Sequence, residues 1–269
     1  MSENKTVTLK EYKKIIPELE PSVYPETSAF IALHETDEFT PYGLASALVQ
    51  CDRNTVMPRA LFDLIADLYK EAISDGDSDA MNDLGALYYD GRGCCQDYEK
   101  AVYYYKMAAK FGNRKARENL GYCCYYGRSV PVDYEKAYHW FVLGAFEGSI
   151  ISLYKIGDMY LNGYYVDKNE AEAFSIYDRC AGMLTDESAP YAAGPVFLRL
   201  GSCFLNGTGA EANAKSALIC FQQAERYLYD MVAGGDEAYV SSLQAAVEGQ
   251  EKAREKLASA LHGHGVVFD

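Results

Sequence analysis

Two short segments of the chain have residue types that could support cofactor or metal chemistry. Gly207–Ala212 fits the dinucleotide-binding pattern G-x-G-x-x-A, but that glycine loop must follow a β-strand and precede a crossover helix. His262 and His264 could coordinate a metal ion together with Asp269, yet two histidines on a terminal segment leave a weak, open site. We therefore expect the first segment to end a helix and the second to be a tail, with no cofactor and no bound metal.

Other groups that could act in catalysis have simpler structural interpretations. Asp75, Asp77 and Asp79 cluster where a turn between two helices is predicted, and short acidic side chains commonly cap helices at such turns. The eight cysteines include two adjacent pairs but no C-x-x-C motif, so we expect small buried thiols and not a redox or zinc site. The sequence has no G-x-S-x-G, H-E-x-x-H or Walker signature, which favours a protein that is not an enzyme.

The charge balance restricts the class of partner. The chain has 269 residues, with 25 Lys and Arg against 39 Asp and Glu, for a formal net charge of −14. Nucleic-acid binding needs clustered positive charge, so no nucleic-acid partner is expected. The apolar stretches are shorter than the ~20 residues that span a bilayer, and Met1–Lys14 lacks an apolar signal core. These features predict a cytoplasmic protein without membrane insertion.

The elements that position these residues follow an internal repeat. Glycine recurs after an aliphatic residue at intervals of 36, 36 and 44 residues, and a second glycine follows each one six residues later. The four glycine pairs are Gly85 and Gly91, Gly121 and Gly127, Gly157 and Gly163, and Gly201 and Gly207. Each is followed by an Asp or Asn and then an Ala, namely Asp97 and Ala101, Asp133 and Ala137, Asn169 and Ala173, and Asn213 and Ala217. This register predicts four copies of one structural unit.

Each landmark has a role in a pair of antiparallel helices. The second glycine ends the first helix, because the left-handed residue just past a helix end is most easily a glycine. The Asp or Asn then caps the second helix by accepting hydrogen bonds from free backbone N–H groups. The first glycine and the alanine lie inside helices, where we expect them to let the paired helices approach closely. The sequence therefore predicts an all-α fold.

The register also predicts how the chain is organised. A lead-in with a short helix, Leu9–Leu19, occupies residues 1–40, and a degenerate first repeat at residues 41–78 has Val49 in place of the first glycine and Pro58 opening its second helix. Four repeats follow at residues 79–114, 115–150, 151–194 and 195–230, with an insertion around Thr185–Pro195. An amphipathic helix at residues 231–262 is predicted to cap the stack, and residues 263–269 form the tail.

The repeated motif resembles that of the Sel1-like repeat family, relatives of the tetratricopeptide repeats. The family pattern is matched in the first complete repeat by Leu84, Gly85, Tyr88, Gly91, Asp97, Lys100, Ala101 and Tyr104. Later repeats depart from it in places, as where Cys124 replaces a tyrosine. The resemblance implies a right-handed superhelical solenoid of antiparallel helix pairs. It also implies that the first helices line a concave groove that binds proteins or peptides, in an adaptor or a regulator.

Mapping that groove onto the sequence predicts a binding surface with four tyrosines and two acids. Its residues are Asn82, Ala86, Tyr89, Glu118, Tyr122, Tyr125, Tyr154, Asp158, Leu161, Leu198, Ser202 and Leu205. Tyrosine is a favoured interface anchor, so this groove would take an extended or helical peptide with apolar anchors and some positive charge. Tyr122 and Tyr125 could instead pack against an adjacent repeat, and both interpretations stay open.

Three functions follow from this pattern. The first is a non-enzymatic protein or peptide binder, for which replacing Tyr122 and Tyr154 by Ala is expected to weaken partner capture and leave the helical content and melting temperature nearly unchanged. The second is a hydrolase of the β-lactam-binding type, because the resemblance extends to a few relatives linked to such ligands. The third is a structural module that self-associates through its tyrosines, although we expect a monomer or weak dimer.

Overall fold

A computed structural model provides the structure of the chain and describes residues 6–9, 25–34, 37–51, 57–186 and 189–263. In these residues the regular structure is almost entirely helical, apart from an antiparallel pair of two-residue strands, Val7–Thr8 (β1) and Glu38–Phe39 (β2). The chain divides into two compact units, Met1–Asp133 and Tyr134–Asp269. The predicted all-α fold is confirmed. Apart from Leu9, the predicted helix Leu9–Leu19 lies outside the described residues.

Each unit contains six α-helices within the part of the chain that the structure describes. Those of the N-terminal unit are Pro25–Leu33 (α1), Pro41–Cys51 (α2), Arg59–Ser74 (α3), Ser78–Asp90 (α4), Tyr98–Lys110 (α5) and Arg114–Tyr126 (α6). Those of the C-terminal unit are Tyr134–Phe146 (α7), Ile150–Asn162 (α8), Glu170–Gly182 (α9), Ala189–Asn206 (α10), Ala214–Ala233 (α11) and Val240–Gly263 (α12). A single 3-10 turn, Glu237–Tyr239, connects α11 to α12.

The residues that were expected to delimit the helices do so. Gly91 follows α4 with φ of 70°, and Gly163 follows α8 with φ of 71°, both in the left-handed region that glycine adopts without strain. Asn169 and Asn213 precede α9 and α11, and each side chain accepts a hydrogen bond of 3.0 Å from a backbone N–H of the first turn. The helix ends are therefore encoded locally.

The glycines inside the first helices make room for an aromatic ring from the second helix of the same pair. A Cβ atom on Gly85 would lie 2.8 Å from a ring carbon of Tyr105, and one on Gly157 would lie 2.6 Å from a ring carbon of Tyr177. On the second helices, the predicted small residues are fully buried, as Ala101 and Ala173 show. The paired helices thus approach closely where an aromatic ring of the second helix lies on a glycine of the first. This contact explains why a glycine in one helix is matched by an aromatic residue in the other.

Two departures from the regular repeat have local physical causes. The degenerate first pair, α2 and α3, packs around Leu44, Leu48 and Phe62, and Pro58 directly precedes α3, where its missing N–H is harmless. In the C-terminal unit, the described part of the predicted insertion forms the first turns of α10. Consequently α10 has 18 residues, and its partner helix α11 has 20.

Candidate functional site

The structure divides the twelve predicted groove residues by exposure. Six lie on α4 and α6 of the N-terminal unit, and six lie on α8 and α10 of the C-terminal unit. The buried members are Asn82, Tyr154, Asp158 and Leu205. The half-buried members are Ala86, Tyr89, Glu118, Tyr122, Tyr125, Leu161 and Leu198, and Ser202 is exposed. Whether any of the twelve binds a partner stays a prediction.

Four of the six in the C-terminal unit line one cavity of about 500 Å³. These four are Asp158, Leu161, Leu198 and Ser202. The other lining residues, which the sequence did not single out, are Asn162, Tyr177, Arg199, Cys203, Asn206, Thr208 and Ser242. The wall thus combines leucine side chains with amides and hydroxyls, and the volume is within the ~300 to 1,000 Å³ typical of ligand pockets.

An ion pair between α8 and α10 forms part of the cavity wall. The guanidinium of Arg199 donates to Asp158 through Nε to Oδ1 at 2.5 Å and through Nη2 to Oδ2 at 2.6 Å. Asp158 Oδ1 also accepts a hydrogen bond of 2.9 Å from the Tyr177 hydroxyl, and Lys155 Nζ lies 3.4 Å from Oδ2. The Arg199 guanidinium lies 4.4 Å from the centre of the Tyr154 ring. We call Tyr154, Asp158, Tyr177 and Arg199 the Asp158 cluster.

The electrostatics of the Asp158 cluster keep its charges fixed. Burial alone would raise the pKa of Asp158, but the charges of Arg199 and Lys155 and the hydrogen bonds from Arg199 and Tyr177 together lower that pKa below its usual value. Burial raises the pKa of the Tyr177 hydroxyl, and the negative charge of Asp158 adds to that effect. Asp158 is therefore ionised and Tyr177 is protonated at neutral pH, so neither is poised to exchange protons with a ligand.

The burial of Tyr154 corrects one expectation from the sequence. Its side chain is only 3% exposed and lies under Arg199, so it is a core residue and not an accessible anchor. Truncating it is expected to reduce stability, contrary to the prediction that the melting temperature would not change. Asn82 is likewise buried, where it accepts a hydrogen bond from Asn119 and donates one to Asp83. Leu205 belongs to an apolar cluster with Phe221.

The predicted tyrosines of the N-terminal unit contact other aromatic side chains in that unit. Tyr89 lies 5.1 Å, ring centre to ring centre, from Tyr98, and Arg128 both hydrogen-bonds Tyr89 and lies over the Tyr98 ring. The Tyr122 ring is parallel to that of Tyr126 at 6.0 Å, and Tyr125 meets Tyr126 edge-on at 4.9 Å. Because Tyr122 and Tyr125 stay half-buried, intramolecular packing and partner contact are compatible for both.

The structure also shows the surroundings of the residues that were considered for cofactor binding and catalysis. Gly207–Ala212 lies between α10 and α11 and follows no strand, so the dinucleotide interpretation is wrong. Asp77 caps α4 by accepting hydrogen bonds from Asp79 N and Ala80 N. Burial raises the pKa of the Cys203 thiol to about 11, so this cavity cysteine is a thiol and not a thiolate at neutral pH.

Metal-binding clusters and membrane spans are both missing from the described residues. These residues contain no group of three or more histidine, cysteine or acidic side chains placed to hold a metal ion. His264 and Asp269, from the predicted terminal site, lie outside the described residues. None of the helices described is both long enough and apolar enough to cross a membrane.

The sequence matches one family model, that of the Sel1 repeat, over residues 78–113, 114–145, 150–180 and 198–226. In fold, the chain is similar to a Sel1 repeat protein from Oxalobacter formigenes, with a TM-score of 0.59 and 21% identity over 77% of this chain and 84% of that one. It is also similar to a protective antigen of uropathogenic Escherichia coli strains that displays an SLR fold, with a TM-score of 0.55 and 20% identity. That likeness covers 93% of this chain and 56% of the antigen. Comparison with curated proteins gave no match.

Proposed function

Because the chain carries four Sel1 repeats and belongs to the Sel1-like repeat family, we propose that it is a non-enzymatic scaffold that binds a segment of another polypeptide. The observation that carries this proposal is the cavity of about 500 Å³ in the C-terminal unit. Its wall includes Asp158, Leu161, Leu198 and Ser202, four of the residues that were predicted for the groove by mapping the resembled family onto this sequence. We propose that one side chain of the bound segment enters this cavity.

The composition of the cavity wall supports a polypeptide occupant. Leu161 and Leu198 offer apolar contact, while the Asn162 and Asn206 side-chain amides can both donate to and accept from a peptide backbone. The negative charge of Asp158 is matched by Arg199 inside the wall. The cavity therefore does not require a cation, and an apolar or uncharged polar side chain fits it best.

The same wall gives little support to a hydrolase. Nucleophilic catalysis needs an activated nucleophile next to a base that can take its proton. Cys203 is held as a thiol by burial, and Asp158 is bound to Arg199 and Tyr177. A non-catalytic role therefore accounts better for these groups.

Filling the cavity tests the proposal. Peptides selected from a random displayed library on the wild-type chain should bind Ser202→Trp about tenfold more weakly or worse, since the indole would occupy a lining position that is exposed and not part of the core. Ser175→Trp is the matched control, because Ser175 is exposed on α9 and does not line the cavity. Selected peptides that bind Ser202→Trp as tightly as the wild type would contradict the proposal.

A further inference from the structure

The loop between α8 and α9 contains a tyrosine in a backbone conformation that tyrosine rarely adopts. Tyr165 has φ of 65°. The equivalent loop position, two residues after the glycine that follows each first helix, is occupied by Gly93, Ser129 and Gly209, all at positive φ. The left-handed region is unfavourable for a residue with a Cβ atom and suits glycine. The backbone of Tyr165 is therefore strained at a position where two of the other three repeats have glycine.

The side chain of Tyr165 lies against the first turns of α7. Its hydroxyl donates a hydrogen bond of 3.3 Å to Glu135 Oε1, and its ring centre lies 5.5 Å from that of Tyr138 and 5.9 Å from that of His139. Tyr165 is 51% exposed, and Glu135 and His139 are exposed as well. We call Glu135, Tyr138, His139 and Tyr165 the Tyr165 surface.

The acidic residues at the Tyr165 surface are Glu135 and, near Tyr138, Glu172. Burial and a hydrogen bond with Tyr160 raise the pKa of Tyr138 to about 12, and the nearby negative charge of Glu172 contributes to that rise. Within the described residues Glu135 has no ion-pair partner; its hydrogen-bond partner there is the Tyr165 hydroxyl. A carboxylate flanked by aromatic rings is thus exposed with no paired cation from the part of the chain that the structure describes.

The Asp158 cluster, in the same unit, shows which cation suits such a site. There Asp158 also accepts a hydrogen bond from a tyrosine hydroxyl, and Arg199 fills the place next to it. The guanidinium binds both carboxylate oxygens while one face lies over the Tyr154 ring. The planar, forked guanidinium makes both contacts at short range, whereas the ammonium of Lys155, beside the same carboxylate and ring, lies 3.4 Å from Oδ2 and 6.0 Å from the centre of the Tyr154 ring.

We propose that the Tyr165 surface binds the guanidinium of an arginine side chain on a partner polypeptide. The carboxylate of Glu135 would pair with the guanidinium, and the rings of Tyr165, Tyr138 and His139 would provide the stacking faces. None of these residues lines the cavity of the C-terminal unit, so the surface is a separate contact that goes beyond the proposed function. The net charge of −14 would favour the approach of a basic segment.

Two matched probes test this assignment on the full chain. In an NMR titration at low ionic strength, acetyl-Gly-Arg-Gly-amide should give saturable shifts at Glu135, His139 and Tyr165, and it should bind about threefold or more tightly than acetyl-Gly-Lys-Gly-amide. Equal affinities for the two peptides, or shifts that never saturate, would show general charge attraction and overturn the proposal.

Two variants separate recognition from structure. Tyr165→Gly and Glu135→Gln should each weaken binding of the arginine peptide about threefold or more. Tyr165→Gly should keep or raise the melting temperature, because glycine accommodates the positive φ. Glu135→Gln leaves the backbone of the loop unchanged, so it provides a second measurement at this surface.

A lower melting temperature for Tyr165→Gly together with undiminished arginine binding would mean that the tyrosine is structural, and would overturn the proposal. Ser129→Gly, at the same position of another repeat, is the control and should leave arginine binding unchanged. Ser202→Trp should also leave it unchanged, whereas Tyr165→Gly should leave cavity peptides bound. The failure of either proposal can therefore be recognised separately.

Discussion

The Asp158 cluster and the Tyr165 surface use the same chemical groups in two different environments of the C-terminal unit. Each has a carboxylate that accepts a hydrogen bond from a tyrosine hydroxyl, and each has a neighbouring tyrosine ring. In the first, Arg199 from the chain itself completes the arrangement, and Asp158 is 12% exposed at its side chain. In the second, the carboxylate of Glu135 is exposed and has no ion-pair partner among the described residues.

Burial explains why one carboxylate must be paired and the other need not be. A charge that is removed from water needs an opposite charge and hydrogen bonds, or it destabilises the fold by several kcal/mol. A carboxylate on the surface is solvated, so leaving it unpaired costs little. The Asp158 cluster therefore contributes to the stability of the fold, and the Tyr165 surface is available for recognition.

Removing the cation from the buried cluster should have the largest effect on stability. Arg199→Met leaves Asp158 buried with Lys155 as its remaining cation, and we expect it to lower the free energy of unfolding by about 3 kcal/mol or more. Urea unfolding followed by circular dichroism measures this. Arg59→Met removes a pair whose two side chains are 68% and 50% exposed and should have a far smaller effect. Similar losses for both variants would mean that burial does not distinguish the two pairs.

Truncating the tyrosine beneath Arg199 should have the next largest effect. Tyr154→Ala removes a buried ring and one face of the guanidinium contact, and we expect a loss of about 3 kcal/mol in unfolding free energy. Tyr122→Ala, at a half-buried position on α6, should lose well under half of that. Thermal or urea unfolding measures both losses. Equal losses of unfolding free energy would contradict the difference in burial between Tyr154 and Tyr122.

Acid should weaken the Asp158 cluster in a defined direction. Because the folded-state pKa of Asp158 is lowered by Arg199 and Lys155, its contribution to stability is present above the ordinary pKa of about 4 and is lost as the pH falls through the folded-state value. The unfolding free energy of the wild type should therefore decline more steeply between about pH 5 and pH 3 than that of Asp158→Asn. Parallel pH profiles would show that Asp158 does not carry this dependence.

The local parts of the fold could be predicted because they depend on short-range geometry. A glycine at a left-handed position and an Asx residue at a helix start have the same role wherever they occur, so the sequence alone suffices to interpret Gly163 and Asn169. Mapping the groove of the resembled family by helical position then selected Asp158, Leu161, Leu198 and Ser202, of which Asp158 and Ser202 are equivalent positions 44 residues apart, and these four line one cavity.

Pairing between repeats could not be predicted in the same way. Asp158 and Arg199 are 41 residues apart and occupy different positions of their repeats, since Arg199 is the equivalent of Lys155, 44 residues earlier. The burial of Tyr154 depends on that pairing, so it was missed as well. The sequence does contain one signal, since Lys155 and Asp158 are spaced to pair on one face of a helix. Nothing in the tyrosine itself predicts a left-handed backbone at Tyr165. The signal is the glycine at the equivalent position of other repeats, Gly93 and Gly209.

The most direct test of the difference between the Asp158 cluster and the Tyr165 surface is to measure both stability and arginine-peptide affinity for Tyr154→Ala and Tyr165→Gly. The account predicts opposite outcomes. Tyr154→Ala should lose stability and, at temperatures where it stays folded, keep its affinity for the arginine peptide, while Tyr165→Gly should keep its stability and lose affinity. A Tyr165→Gly protein that is less stable and binds the arginine peptide as the wild type does would contradict the account.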